Sequence, residues 1–127
     1  MYWNDLEGAI ILNKVFSKPV EISEIDVFDI KIDREGPSVI ITFDLVNQLP
    51  DNPPVKWVKG YNRCRCGINC IGIKSLKIDG VDKNMLSSIF IDKSNSHNEV
   101  SIKGSGFNLY LMCSHIQFMG PSVYISQ

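Results

Sequence analysis

The sequence has little of what an enzyme needs. Only two histidines occur in 127 residues. A Cys–His nucleophile requires an imidazole beside a thiol. His97 sits in a polar run, and His115 follows Cys113 by two residues on an extended segment. Gly104-Ser105-Gly106 is a turn sequence rather than the Gly-x-Ser-x-Gly elbow of a serine hydrolase. There is no phosphate loop and no dinucleotide fingerprint. Catalysis is therefore not expected, and no cofactor or metal is expected either. Charge excess is also missing. The formal net charge of -1 gives no whole-molecule attraction to nucleic acid or to an anionic membrane. No apolar run approaches a membrane span. The N-terminus lacks a basic region, and Asn4, Asp5, Glu7 and Asn13 interrupt its apolar residues, so no signal peptide is expected. Four cysteines without a secretory signal fit a reducing cytoplasm. Domain boundaries, repeats and low-complexity tracts are absent too, and residues 1–127 read as a single domain.

What is present is an ordinary globular composition, 44% hydrophobic and 21% charged, with strong local alternation. Residues 4–16 read as one helix. Asn4 is a good N-cap with Glu7 three residues on, and Trp3 precedes the cap as a hydrophobic staple. Leu6, Ala9, Ile10 and Asn13 share a face, broadened by Leu12, Val15 and Phe16. Residues 25–32 alternate, with Phe28, Ile30 and Ile32 on one side and Asp29 and Lys31 on the other. Residues 38–46 alternate again, placing Val39, Ile41, Phe43 and Leu45 inward. The intervening Asp33–Pro37 turn makes these two runs an antiparallel hairpin with one wet face. Further strands are expected over 61–70, with extended chain through 79, then over 85–92, 99–103, 107–113 and 115–119, with a short one near Val123 and Ile125. Ser94–Asn98 reads as a polar loop. The fold class is α+β, mainly β: one N-terminal helix on a mostly antiparallel sheet of about seven or eight strands, as a sandwich or open barrel.

The stretch Leu49–Trp57 stands apart. Three prolines in five residues fix φ and remove three backbone donors, so neither helix nor central strand runs through it. It reads as a stiff crossover that carries Trp57 into the core between the hairpin and the strand that follows.

Cys64, Cys66 and Cys70 fall on the apolar parity of that strand. With Cys113 they are chemically able to bind zinc, but no second closely spaced ligand pair exists, and cysteine also serves as a small buried hydrophobe. Core packing is the expected role. Arg63 and Arg65, near Tyr61, form a patch too small for a nucleic-acid interface, and the front of the chain opposes them: residues 1–60 hold ten acids and six bases. Glu24, Asp26, Asp29, Asp33 and Glu35 line or end the first strand, and no Lys or Arg lies between residues 19 and 30. They read either as a solvated sheet face or as a docking surface for a basic protein.

Leu49-Pro50-Asp51-x-Pro53-Pro54-x-Lys56-Trp57, followed by Tyr61-Asn62, resembles the bacterial immunity protein fifty family. The resemblance extends to Trp3, Asp33-Arg34-Glu35-Gly36-Pro37, the strand ending at Leu45, Ser75–Gly80 and Ser122–Ser126. Trp3, Pro50, Pro53, Pro54, Lys56, Trp57 and Tyr61 carry its pattern, with an architectural reading. The chain departs from the family at Cys64, Cys66, Cys70 and Val81, where larger apolar residues are expected. The resemblance implies a cytoplasmic antidote of a polymorphic toxin system of interbacterial competition. Such a protein binds and blocks a cognate toxin, usually encoded by the adjacent gene, without catalysis. The implied partner is that toxin domain, with neither nucleic acid nor membrane as partner. A different class of function stays open: a small-ligand or carbohydrate-binding β domain with Trp3, Trp57 and Tyr61 as stacking platform.

Overall fold

The computed structural model describes residues 1–94 and 96–127. Eight strands follow an N-terminal segment: β1 Glu24–Asp33, β2 Ser38–Leu45, β3 Arg63–Ile71, β4 Ser75–Asp79, β5 Leu86–Lys93, β6 Asn98–Gly104, β7 Asn108–Cys113 and β8 His115–Tyr124. They form one antiparallel sheet in the order β4-β7-β6-β5-β1-β2-β3-β8. Alternate side chains of most strands face a common interior. Ile25, Val27, Val39, Ile41, Phe43, Ile68, Ile89, Val100, Ile102, Leu109, Leu111 and Phe118 are all buried in one cluster. The mainly β architecture expected from the alternation is therefore the one observed.

The sheet is folded across its middle. β1 and β5 share only three register pairs, Glu24–Ser88 to Asp26–Leu86. On the far side, β3 passes into β4 and β7 into β8, so both halves are covalently continuous there. The Ser114 N–H donates to Ile71 O at 3.0 Å, and the Lys74 N–H donates to Met112 O at 2.8 Å, holding that corner. Gly72 makes the turn with φ +72°, and a Cβ there would lie 2.7 Å from Ser114 Oγ. The expected extended run from 71 to 79 is thus broken at this corner.

The predicted helix over 4–16 is not one helix. Trp3–Asp5 is a single 3-10 turn, and α1 covers only Ile10–Val15. Glu7 between them is laid along β8: its carbonyl accepts the Phe118 N–H at 2.7 Å. Gly8 then has φ +88°, and a Cβ would meet Phe118 O at 2.5 Å. That docking of the backbone onto the sheet edge outweighs the helical propensity of the stretch. Asn4 is accordingly no cap. Its Oδ1 accepts the Val20 N–H at 2.7 Å, and its amide donates to Asn13. Leu6, Ala9, Leu12 and Val15 face inward, whereas Ile10 is 68% exposed. Trp3 is fully buried and stacks on Phe43 with ring centroids 5.0 Å apart. The segment closes one end of the core without a long helix. Among the described residues no helix is long and apolar enough to cross a membrane.

Two other expectations change. β8 runs through Gly120-Pro121 as one strand, because the pairing shifts between Arg65 and Gly67 of β3 and absorbs an extra β8 residue. Of the polar loop over 94–98, Asn95 lies outside the described residues; Ser94 Oγ donates to His97 O at 2.7 Å, and Asn98 already belongs to β6.

Candidate partner-binding face

The proline crossover does not deliver Trp57 to the core. Trp57 is half-buried and meets Tyr61 edge-on, with centroids 6.5 Å apart. Pro53, Pro54 and Lys56 are exposed, and Pro50 is the buried anchor. The Tyr61 hydroxyl donates to Pro50 O at 2.6 Å. The reason lies in α1. Helix ends leave carbonyls without partners, and the Asn52 N–H and side-chain amide satisfy Val15 O and Lys14 O at 3.0 Å each. Asp51 accepts the Ser17 N–H at 2.8 Å and also the Ser17 hydroxyl. These hydrogen bonds, the hydroxyl's first, hold the Asp51 carboxyl below its usual range. The crossover is therefore a clamp on the helix end. With Trp3 buried under the sheet, the three-residue stacking platform of Trp3, Trp57 and Tyr61 is not assembled.

The cysteines are core residues, all four free and buried. Cys66 is pushed well up by its hydrogen bond with Cys64 and by burial, and Cys70 by its hydrogen bond with Cys113 and by burial. Among the described residues no three His, Cys, Asp or Glu side chains converge as a metal site would require.

The acids of β1 are brought together by a feature that simple alternation hides. Ile25 pairs with Leu45 and Val27 with Phe43, all buried; Asp29 pairs with Thr42, so one residue, Phe28, is extra. This β-bulge reverses the parity of the strand. Glu24 and Asp26 point outward before it; Asp29, Lys31 and Asp33 point outward after it, opposite Thr42, Ile40 and Ser38. Four of the five predicted acids thus share the outer face of β1. Glu35 is in the adjoining turn, where its N–H donates to Asp33 Oδ1 at 3.0 Å. Among the described residues none of the five has a Lys, Arg or His within 4.0 Å.

The bulge also moves Phe28, expected in the core, to the surface, where it is 61% exposed. Its ring lies 3.8 Å from the guanidinium carbon of Arg65, which is itself 4.7 Å from the ring of Tyr124. Arg65 Nε donates to Asp44 Oδ1 at 3.0 Å, an Arg65 amino group donates to the Tyr124 hydroxyl at 2.8 Å, and that hydroxyl donates to Asp44. Asp44 is only 7% exposed. Burial alone would weaken the charge on Arg65, but its hydrogen bond to and the field of Asp44 outweigh this and raise its pKa. Burial and the hydrogen bond to Asp44 raise that of Tyr124. Arg65 is therefore committed to the fold rather than presented to phosphate. The signal for this knot was present in the sequence: Asp44 and Arg65 lie on the outward parities of neighbouring strands, where opposite charges pair.

The row Leu86–Asp26–Asp44–Arg65–Ser122 crosses five strands in register. Grooves of about 450 and 620 Å³ lie beside it, and Asp26, Asp44 and Arg63 line both. The face combines unpaired carboxylates, an exposed aromatic and shallow relief, as protein-contact surfaces do. Residues 8–124 match the Immunity protein 50 family. The chain belongs to the Immunity protein 50 family. No curated protein and no solved structure matches it. Membership in the Immunity protein 50 family covers both the clamp and the acidic face, since both lie within the matched residues.

Proposed function

We propose that this immunity protein neutralises a cognate toxin in the cytoplasm of the producing bacterium by stoichiometric binding, without catalysis. The toxin belongs to a polymorphic system of interbacterial competition. The outer face of β1 and β2 occludes the toxin's active site or the path of its substrate. One observation supports this choice of face above the rest: Glu24, Asp26, Asp29 and Asp33 point the same way, outnumber the single Lys31 on that face, and have no cation within 4.0 Å among the described residues. Uncompensated charge on a rigid sheet accelerates encounter with an oppositely charged partner and selects among partners. A basic toxin domain, such as a nuclease, fits this face.

Co-expression with the toxin encoded in the adjacent gene tests the reading. Survival of the cells and co-purification of a one-to-one complex are the expected results. A toxin that still kills, with no complex recovered, contradicts it.

A further inference from the structure

The position of Phe28 is costly unless something covers it. The bulge takes a phenylalanine from the core parity and leaves 61% of it exposed. Val81, 84% exposed, lines the same groove, and Leu86, 43% exposed, lines the adjoining one. The ring is not loose. One face rests on Arg65, and Arg65 is held by Asp44 and Tyr124. An aromatic held in place in the free protein loses little freedom on binding, which is how contact hot spots are built.

The charges beside it are incomplete. Asp26 and Asp44 face one another across β1 and β2. Like charges directly opposite destabilise a sheet. Arg65 and Tyr124 satisfy Asp44, while Asp26 has no cation within 4.0 Å among the described residues. Asp26 lines both grooves, so a cation that pairs with it would sit in open space next to Phe28. Arg63 and Lys83 also border the larger groove without pairing to a carboxylate. They oppose a broad basic stripe, while Asp82 adds a second carboxylate without a cation within 4.0 Å to the same groove.

We infer that this groove receives a single arginine side chain from the toxin, with its stem on Phe28 and its guanidinium on Asp26. Arginine suits the site better than lysine because its planar fork pairs with a carboxylate at two points while its apolar stem covers the aromatic. The identity of the partner rests on the toxin-binding reading above; the chemistry of the groove does not.

The test has two arms. The dissociation constant is measured for the complex with the toxin of the adjacent gene, using wild type, Phe28→Ala, Asp26→Asn and, as comparator, Asp92→Asn, exposed at the far end of β5. Both Phe28 and Asp26 lie outside the core, so the fold should persist, with melting temperatures lowered by no more than about 4 °C. Phe28→Ala should weaken binding by about 30-fold and Asp26→Asn by about tenfold, whereas Asp92→Asn should stay within about twofold. A wild-type complex that Phe28→Ala and Asp26→Asn leave within about twofold overturns the inference while the toxin-binding reading stands. Absence of any wild-type complex counts against that reading alone. The second arm decides the groove independently, by nuclear magnetic resonance titration of the free protein with Nα-acetylarginine amide. Saturable amide shifts at residues 26–28 and 81–83 are expected, lost in Asp26→Asn and absent with the neutral isostere Nα-acetylcitrulline amide. No shifts, or equal shifts with the citrulline compound, overturn it.

Discussion

β1 and β2 are partners in one hairpin and alternate equally well in sequence, yet only β2 keeps its alternation. In β2, Val39, Ile41, Phe43 and Leu45 are all buried, as their spacing requires. In β1, Ile25 and Val27 are buried and then the parity reverses. The strict strand builds the core, and the interrupted strand builds the surface. A single extra residue sets four acids on one face and exposes an aromatic. Bulges re-aim side chains in this way, and here the consequence is a face that carries charge and an apolar anchor together.

The sharpest way to break this contrast is to truncate the two phenylalanines that meet at the bulge. Phe43 is fully buried opposite Val27 and stacked on Trp3. Phe43→Ala should cost about 3–5 kcal/mol in urea denaturation. Phe28→Ala should cost no more than about 1 kcal/mol, the range of an exposed cation–π contact. Equal losses would place Phe28 in the core and remove the contrast.

A smaller effect comes from the knot below Phe28. Asp44→Asn leaves Arg65 without its charged partner in a partly buried setting, with side-chain exposures of 26% and 10% for the pair. A loss of about 2 kcal/mol is expected, in line with hydrogen bonds to charged groups. The same change at Asp26, which has no partner, should be near neutral for stability. The two aspartates face one another, so the difference between them isolates the contribution of Arg65 and Tyr124.

The smallest effect is on alkaline stability. The folded state raises the pKa of Tyr124 above its ordinary 10.0, through burial first and the hydrogen bond to Asp44 second. A raised folded value means the neutral phenol is favoured in the fold. Its contribution is fully present below about pH 10 and is lost as the pH rises through the folded value. Melting temperature should therefore fall above about pH 10 in the wild type, and less steeply in Tyr124→Phe. Tyr110, raised by its hydrogen bond to Glu99 and then by burial, leaves a residual slope of the same sign.

Much of this fold was legible because buried antiparallel strands impose period two on the sequence. The hairpin β1–β2, strands β3, β5, β6 and β7, and the inward cysteines follow from it, whereas the corner before β4 and the continuity of β8 through Pro121 depend on pairing with other strands. The bulge was not legible. Phe28 is apolar and sits on the parity of Ile30 and Ile32, and nothing local distinguishes a strand residue from an extra one. Only the partner strand's register reveals it. The helix failed for a similar reason: Asn4 and Glu7 satisfy local capping chemistry, but Glu7 finds a stronger place along β8. Trp57 was misplaced because the prolines announce stiffness and not direction; the direction comes from the free carbonyls of Lys14 and Val15. The five acids were legible as a run, and their convergence on one face was not.

On the proposed function, the reversed parity of β1 creates the surface that meets the toxin. The most direct measurement is the association rate, at low salt, of the toxin encoded by the adjacent gene with wild type and with the Glu24→Lys, Asp26→Lys, Asp29→Lys triple variant. Because these side chains face outward together, the variant should associate at least about tenfold more slowly, with the difference shrinking as salt is raised. An association rate equal to that of the wild type at low salt would contradict a docking role for this face.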